Sequence, residues 1–237
     1  MTGRVAARAA GRMPGGRVRR GGALGLTLLV ACATPAASPP APADDLRSPS
    51  LSEVVLYGLR PASELDPTRY PAAGGACVAA YLRALTRAPA AAQPQPADDA
   101  EAVVRARRGS LEAQAVALLG PRAAADAKGF ARAVPLAAEW EGMSEGPRAE
   151  ASGAEQWLRM HPRTALEPFV HLFAAHRLRA AYEAAWREEG AKRAAGLALG
   201  YAQQLELARR TSNRLISCVA DDLDAQPHVY LPGAPKP

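Results

Sequence analysis

Three groups of side chains in this 237-residue chain have types and spacings suited to chemistry. The first is Gly142-Met143-Ser144-Glu145-Gly146, a match to G-x-S-x-G. Asp222 or Asp224 followed by His228 completes the Ser, Asp, His order of one kind of nucleophilic triad. Such a serine becomes a nucleophile when a strand delivers it at a strained turn beside backbone donors. The preceding residues, Leu136 to Glu141 (LAAEWE), have helical character, so the simpler reading is a loop. Two glycines then end one helix and Pro147 begins the next.

The second group is Glu167 and His171, four residues apart and therefore on one helix face. A Glu–His pair there suits a general base or two metal ligands, and equally a histidine satisfied within a core. His176 lies a further five residues on, about 140° around the helix, so the two histidines do not share a face as H-E-x-x-H ligands do. The third is Trp140 among Glu139, Glu141 and Glu145. This acidic turn suits a peptide, cation or sugar, but the favoured reading is an indole that staples two helices. Arg177, Arg179 and Arg187, interspersed with Glu183, Glu188 and Glu189, read as a solvated face rather than a phosphate site. The chain has no P-loop, no G-x-G-x-x-G and no paired C-x-x-C, so no cofactor is expected.

The elements that must position these groups read as helices throughout. Ser50 and Glu53 have capping-box spacing and open a short segment to Gly58. Cys77, Tyr81 and Leu85 fall four apart in a helix to about residue 87, after a turn-rich stretch from 61 to 75. Residues 88–97 are rich in Pro and Ala and break the chain. Helices are then expected over 98–108, 110–120 with Ser110 as cap, 121–133, and 135–142 starting at Pro135. Stronger patterns follow over 147–160, with Gly153 a mild weakness, and over 164–189, opened by a second capping box at Thr164 and Glu167. The first half of the latter (Phe169, Val170, Leu172, Phe173) is apolar almost all round, the mark of a central helix. One last helix over 191–222 carries the stripe Ala194, Leu197, Tyr201, Leu205, Ala208, Leu215 and Val219.

The expected fold is all-α: a helical bundle or short helical-hairpin array over residues 50–226, ending in a Pro-rich tail at 227–237. Residues 154–185 resemble a single tetratricopeptide-type hairpin, with a Pro-bearing turn between two helices. No second copy appears at the ~34-residue period that a repeat array needs.

Charge separates the chain into two parts. Six of its 29 basic residues (Arg4, Arg8, Arg12, Arg17, Arg19, Arg20) lie in the first 32 positions, where there is no Asp or Glu. Removing those six leaves 23 basic against 23 acidic residues, so the formal +6 does not argue for a nucleic-acid partner. An Arg-rich start followed by the short apolar run Gly21 to Ala31 has the form of a secretory signal, too short to span a bilayer. It ends in Leu29-Val30-Ala31-Cys32, which resembles the lipobox of bacterial lipoprotein precursors. That resemblance implies cleavage before Cys32, diacylglyceryl attachment to its thiol and acylation of the new terminus. Segment 1–31 is then the signal peptide. Residues 32–49, with five prolines among mostly small side chains, are a tether to the folded domain. Ala33, rather than Asp, after the cysteine implies the outer membrane, facing the periplasm. Cleavage after Ala33 as a simple secretory signal is the alternative.

Export also bears on Cys77 and Cys218, which are then two thiols for one bridge. Closing a loop of roughly 140 residues stabilises by roughly 5 kcal/mol on the chain-entropy account. The leading functional expectation is a non-enzymatic interaction or scaffolding module of the cell envelope. It would be held to the membrane by lipid on Cys32 and engage an envelope protein partner. An envelope hydrolase or metal-dependent enzyme using Ser144 or Glu167/His171 is the alternative. A third reading is a small-ligand or metal carrier lined by Phe169, Phe173 and Trp186.

Overall fold

In the computed structural model, residues 49–58, 60–87 and 99–237 are described, all within the unit Asp45–Pro237. The expected signal peptide, Cys32, the tether up to residue 48 and the break at 88–97 lie outside the described residues. Ala, Leu, Arg and Glu dominate this part of the chain and β-branched runs are scarce, so local preference favours helix. Among the described residues there are seven α-helices and no strand. These are α1 (Ala72–Leu85), α2 (Ala100–Leu119), α3 (Ala124–Ala133), α4 (Glu145–Met160), α5 (Glu167–Glu189), α6 (Ala191–Arg209) and α7 (Arg214–Ala225).

Helix α5 is the axis. Fifteen of its 23 residues are buried, which requires neighbours on every side. It packs most heavily against α6, then α4, with lesser contacts to α2 and α7; α1 rests on α2 and α7. Phe130 of α3 meets Phe169 and Phe173 of α5 edge-to-face at ring-centre distances of 6.4 and 5.4 Å, and Trp157 of α4 at 5.9 Å. That cluster supplies four of the eight buried aromatic side chains among the described residues. The disulfide Cys77–Cys218 joins α1 to α7, with Cα atoms 5.9 Å apart.

The capping box at Ser50 forms as its spacing predicts. The Glu53 amide donates to Ser50 Oγ at 3.1 Å, and the Ser50 amide to a Glu53 carboxylate oxygen at 3.4 Å. It opens a short turn that widens to π-helix over Glu53–Tyr57, burying Val54, Val55 and Leu56, and stops at Gly58 in the left-handed region.

Four boundaries depart from the sequence expectation. Helix α2 runs unbroken through Gly109-Ser110, because Ser110 is a packing residue: its Oγ lies 3.2 Å from where a Cβ on Gly58 would stand. Residues 135–142 form no helix. Glu150 accepts the Ala137 amide there, while Glu141 and Gly142 turn into the left-handed region. Thr164 makes no capping box, because its hydroxyl donates to Asp126 and accepts from the Leu166 amide. The last helix is two, divided at 210–213, where Asn213 caps α7 by accepting from the amides of Leu215 (2.9 Å) and Ile216 (3.1 Å). Asn213 Nδ2 also donates to the Leu118 carbonyl at 2.8 Å, satisfying one of the acceptors left over at the end of α2.

Candidate functional site

The polar chemistry of the molecule gathers around Glu150, on the buried stripe of α4 that also carries Pro147, Ala151, Ala154 and Trp157. One Glu150 oxygen accepts from Arg107 Nη1 (3.1 Å), the Ala137 amide (3.2 Å) and Trp140 Nε1 (2.9 Å). The other accepts from Arg107 Nη2 (3.1 Å) and Arg177 Nε (2.7 Å). Arg177 Nη1 donates to the Leu56 carbonyl and to His176 Nδ1, at 2.7 and 2.8 Å. An arginine cannot accept, so His176 Nδ1 is the acceptor and the proton of the neutral ring sits on Nε2. Trp140 lies beneath both guanidiniums, its ring centre 5.1 Å from that of Arg177 and 5.5 Å from that of Arg107. Tyr57 and Tyr230 meet its edges at 5.0 and 5.1 Å.

The electrostatics follow from burial. Burial alone raises the Glu150 carboxyl, but the Arg177 and Arg107 charges outweigh it and hold the group below the usual carboxylate range. Burial, reinforced by Arg177, Arg179 and Arg107, keeps His176 neutral, well below its ordinary value of 6.5. Burial brings Arg177 down to about 10, still charged at neutral pH. A small cavity of about 10 Å³ adjoins the cluster, lined by Tyr57, Gly58, Leu136, Arg107 and Arg177 among others. That is room for about one water, far below the several hundred Å³ of a typical ligand pocket.

A second buried pair ties down the chain's end. Arg179 donates to Glu183 (3.3 Å) and to the carbonyls of Leu223 and Gln226. Glu183 accepts the successive amides of Val229 (3.0 Å), Tyr230 (2.7 Å) and Leu231 (3.0 Å). Residues 226–231 are thereby strapped to α5. The expectation that Arg177, Arg179 and Glu183 form a solvated face is therefore overturned: all three are buried. The all-round burial of α5 leaves it no water-facing side at those positions.

The sequence candidates lie apart from one another. Trp140 is buried and holds the non-helical 134–144 segment against Glu150 and Tyr57. Ser144 donates its hydroxyl to one Glu188 oxygen and its amide to the other, both at 2.8 Å, so it ties α4 to the end of α5. Its supposed partners are engaged elsewhere. Asp222 accepts the Ser52 amide at 2.8 Å, and Asp224 meets Tyr201, Arg209 and Lys236. Glu167 and His171 do face each other at 3.8 Å, but Glu167 is 58% exposed and His171 bonds Gln204 at 2.7 Å. Among the described residues no group of three His, Cys, Asp or Glu is arranged to hold a metal ion. Phe169 and Phe173 pack against Phe130, whereas Trp186 belongs to a separate cluster with Tyr182, so the three line no common cavity. Sequence reasoning missed Glu150, Arg107 and Tyr57. The available signal was their position: Glu150 interrupts an otherwise apolar stripe at steps of three and four. No family model, curated protein or solved structure matches the chain.

Proposed function

We propose that this protein is a lipid-anchored helical module of a bacterial envelope, working by contact with other proteins rather than by chemistry of its own. The observation that carries this reading is the Cys77–Cys218 bridge. Disulfides of this kind form and persist in oxidising compartments, where the Leu29-Val30-Ala31-Cys32 sequence would deliver the chain. Ala33 after the lipidated cysteine favours the outer membrane, facing the periplasm. The interaction role is supported by how the polar side chains are used. Ser144, Glu150, Arg177 and Glu183 each spend their hydrogen bonds holding segments of this chain together. Acyl chains on one cysteine supply about 0.8 kcal/mol per buried methylene, enough for a lasting anchor when two or more are present.

The test is metabolic labelling with palmitate followed by fractionation, comparing the native chain with Cys32→Ser. Label and protein should appear together in the membrane fraction and both should be lost in the variant. Unlabelled protein in the cytosol, with Cys77 and Cys218 open to alkylation, would refute the assignment.

A further inference from the structure

The guanidinium of Arg107 is satisfied at one end only. Its two terminal nitrogens face the Glu150 carboxylate at 3.1 Å each, and Nη1 also donates to the Ala137 carbonyl. Nε, on the flank of the fork, is buried and its hydrogen meets no acceptor among the described residues; the whole residue is 3% exposed. A buried N–H on a cation has given up its hydration without replacement. Arg107 is also a wall of the small cavity of about 10 Å³, together with Tyr57, Gly58 and Arg177. The charge count points the same way. Arg107 and Arg177 bring two positive charges against the single negative charge of Glu150. Their other acceptors, the carbonyls of Ala137 and Leu56, carry none, and His176 is held neutral. Arg179 is matched separately by Glu183, and Glu139, the other carboxylate felt at Tyr57, is exposed. One positive charge is left over in the interior, where charges are ordinarily paired.

We infer that the cavity beside Arg107 and Tyr57 is a binding site for one small monovalent anion, of the size and charge of chloride, which accepts from Arg107 Nε and neutralises the cluster. Size sets the class of ligand. A cavity of about 10 Å³ admits one body about as large as water, which a single-atom halide nearly matches and a phosphate, sulfate or carboxylate exceeds. A water molecule would satisfy Nε but leave the charge uncompensated. The apolar side of the cavity, Leu111 and Leu136, screens little, so the attraction of both guanidiniums for an anion is stronger there than in water. Because the site exists only when α2, α5 and the Glu53–Tyr57 turn are assembled, the anion binds the folded chain and not the unfolded one. Stability is then linked to chloride by mass action. The site belongs to the folded interior and does not depend on the anchor assignment.

The test holds the purified full chain at constant ionic strength while gluconate, too large for the cavity, is replaced by chloride. The urea midpoint should rise and then level off as the site fills, whereas screening of surface charges would be the same in both salts. The chloride NMR signal should broaden in the presence of the native chain and sharpen again when bromide competes. Arg107→Lys, which keeps the charge but has no Nε hydrogen, should weaken chloride binding about tenfold. In crystals of the native chain grown with bromide, anomalous scattering should place the ion against Arg107 Nε, a result that stands even if the lysine variant does not fold. Equal midpoints in the two salts, an unbroadened chloride signal, a full chloride response in Arg107→Lys, or a cavity holding only water in the bromide crystals would each overturn the inference.

Discussion

Glu150 accepts five hydrogen bonds from four residues on three separate segments, so its charge is the point through which α2, α4, α5 and the 134–144 segment are joined. Removing that charge leaves two buried guanidiniums facing an uncharged acceptor. Glu150→Gln is expected to cost about 3–5 kcal/mol, read as a lower urea midpoint. His176 gives the molecule a pH dependence with a definite sign. The folded ring stays neutral where the unfolded chain would take up a proton, so stability falls as pH drops through and below 6.5, at about 1.4 kcal/mol per pH unit per proton. Glu150, held below its ordinary value, acts in the same direction at lower pH. Glu183 and Asp222, raised by burial, oppose both, gaining stability as they protonate. His176→Gln should flatten the slope in the region just below pH 6.5, measured by chemical denaturation at a series of pH values. An unchanged slope would mean that other groups carry it. At this scale the sequence misleads, because hydropathy counts Arg177, Arg179 and Glu183 as surface residues. What reverses the reading is the density of Ala and Phe around them, which leaves α5 no face for water.

Elements were legible where a single local device decides the outcome. The Ser50–Glu53 capping box, Gly120 after α2 and Gly190 after α5 all act as their residue types predict. Boundaries set by distant contacts were not legible. Gly109-Ser110 reads as a break and is continuous helix; Thr211-Ser212-Asn213 reads as helix and is a break. Asn213 is the decisive residue there, and Asn213→Ala should cost about 1 kcal/mol from the lost cap, and more from the stranded Leu118 carbonyl. Gly153 shows the same distinction. By propensity alone, Gly153→Ala should stabilise α4 by about 1 kcal/mol. In the fold, a Cβ at Gly153 would stand 2.5 Å from Pro135 Cδ, too close without movement of the segment that carries Trp140. Overpacking of this kind typically costs about 1–3 kcal/mol, so a lower melting temperature is expected. A higher one would show that the 134–144 segment can yield.

At the scale of the whole molecule, two devices close the chain on itself. The Cys77–Cys218 bridge ties the first helix to the last, and Glu183 with Arg179 binds the C-terminal segment along α5. Replacing both cysteines with serine is expected to cost about 2–5 kcal/mol, with a matching loss on reduction of the native chain. The all-α architecture was legible from periodicity alone. Which helix lies at the centre was legible too, from the apolar first half of α5. The address rests on a short N-terminal motif, and the bridge is the feature of the folded domain that bears on it. The most direct test is therefore intact-mass analysis of the native protein with thiols alkylated before any reduction. The account predicts a chain beginning at Cys32 that carries the added mass of its acyl groups and takes up no alkylating reagent. A full-length chain with an unmodified terminus and three alkylated cysteines would contradict it.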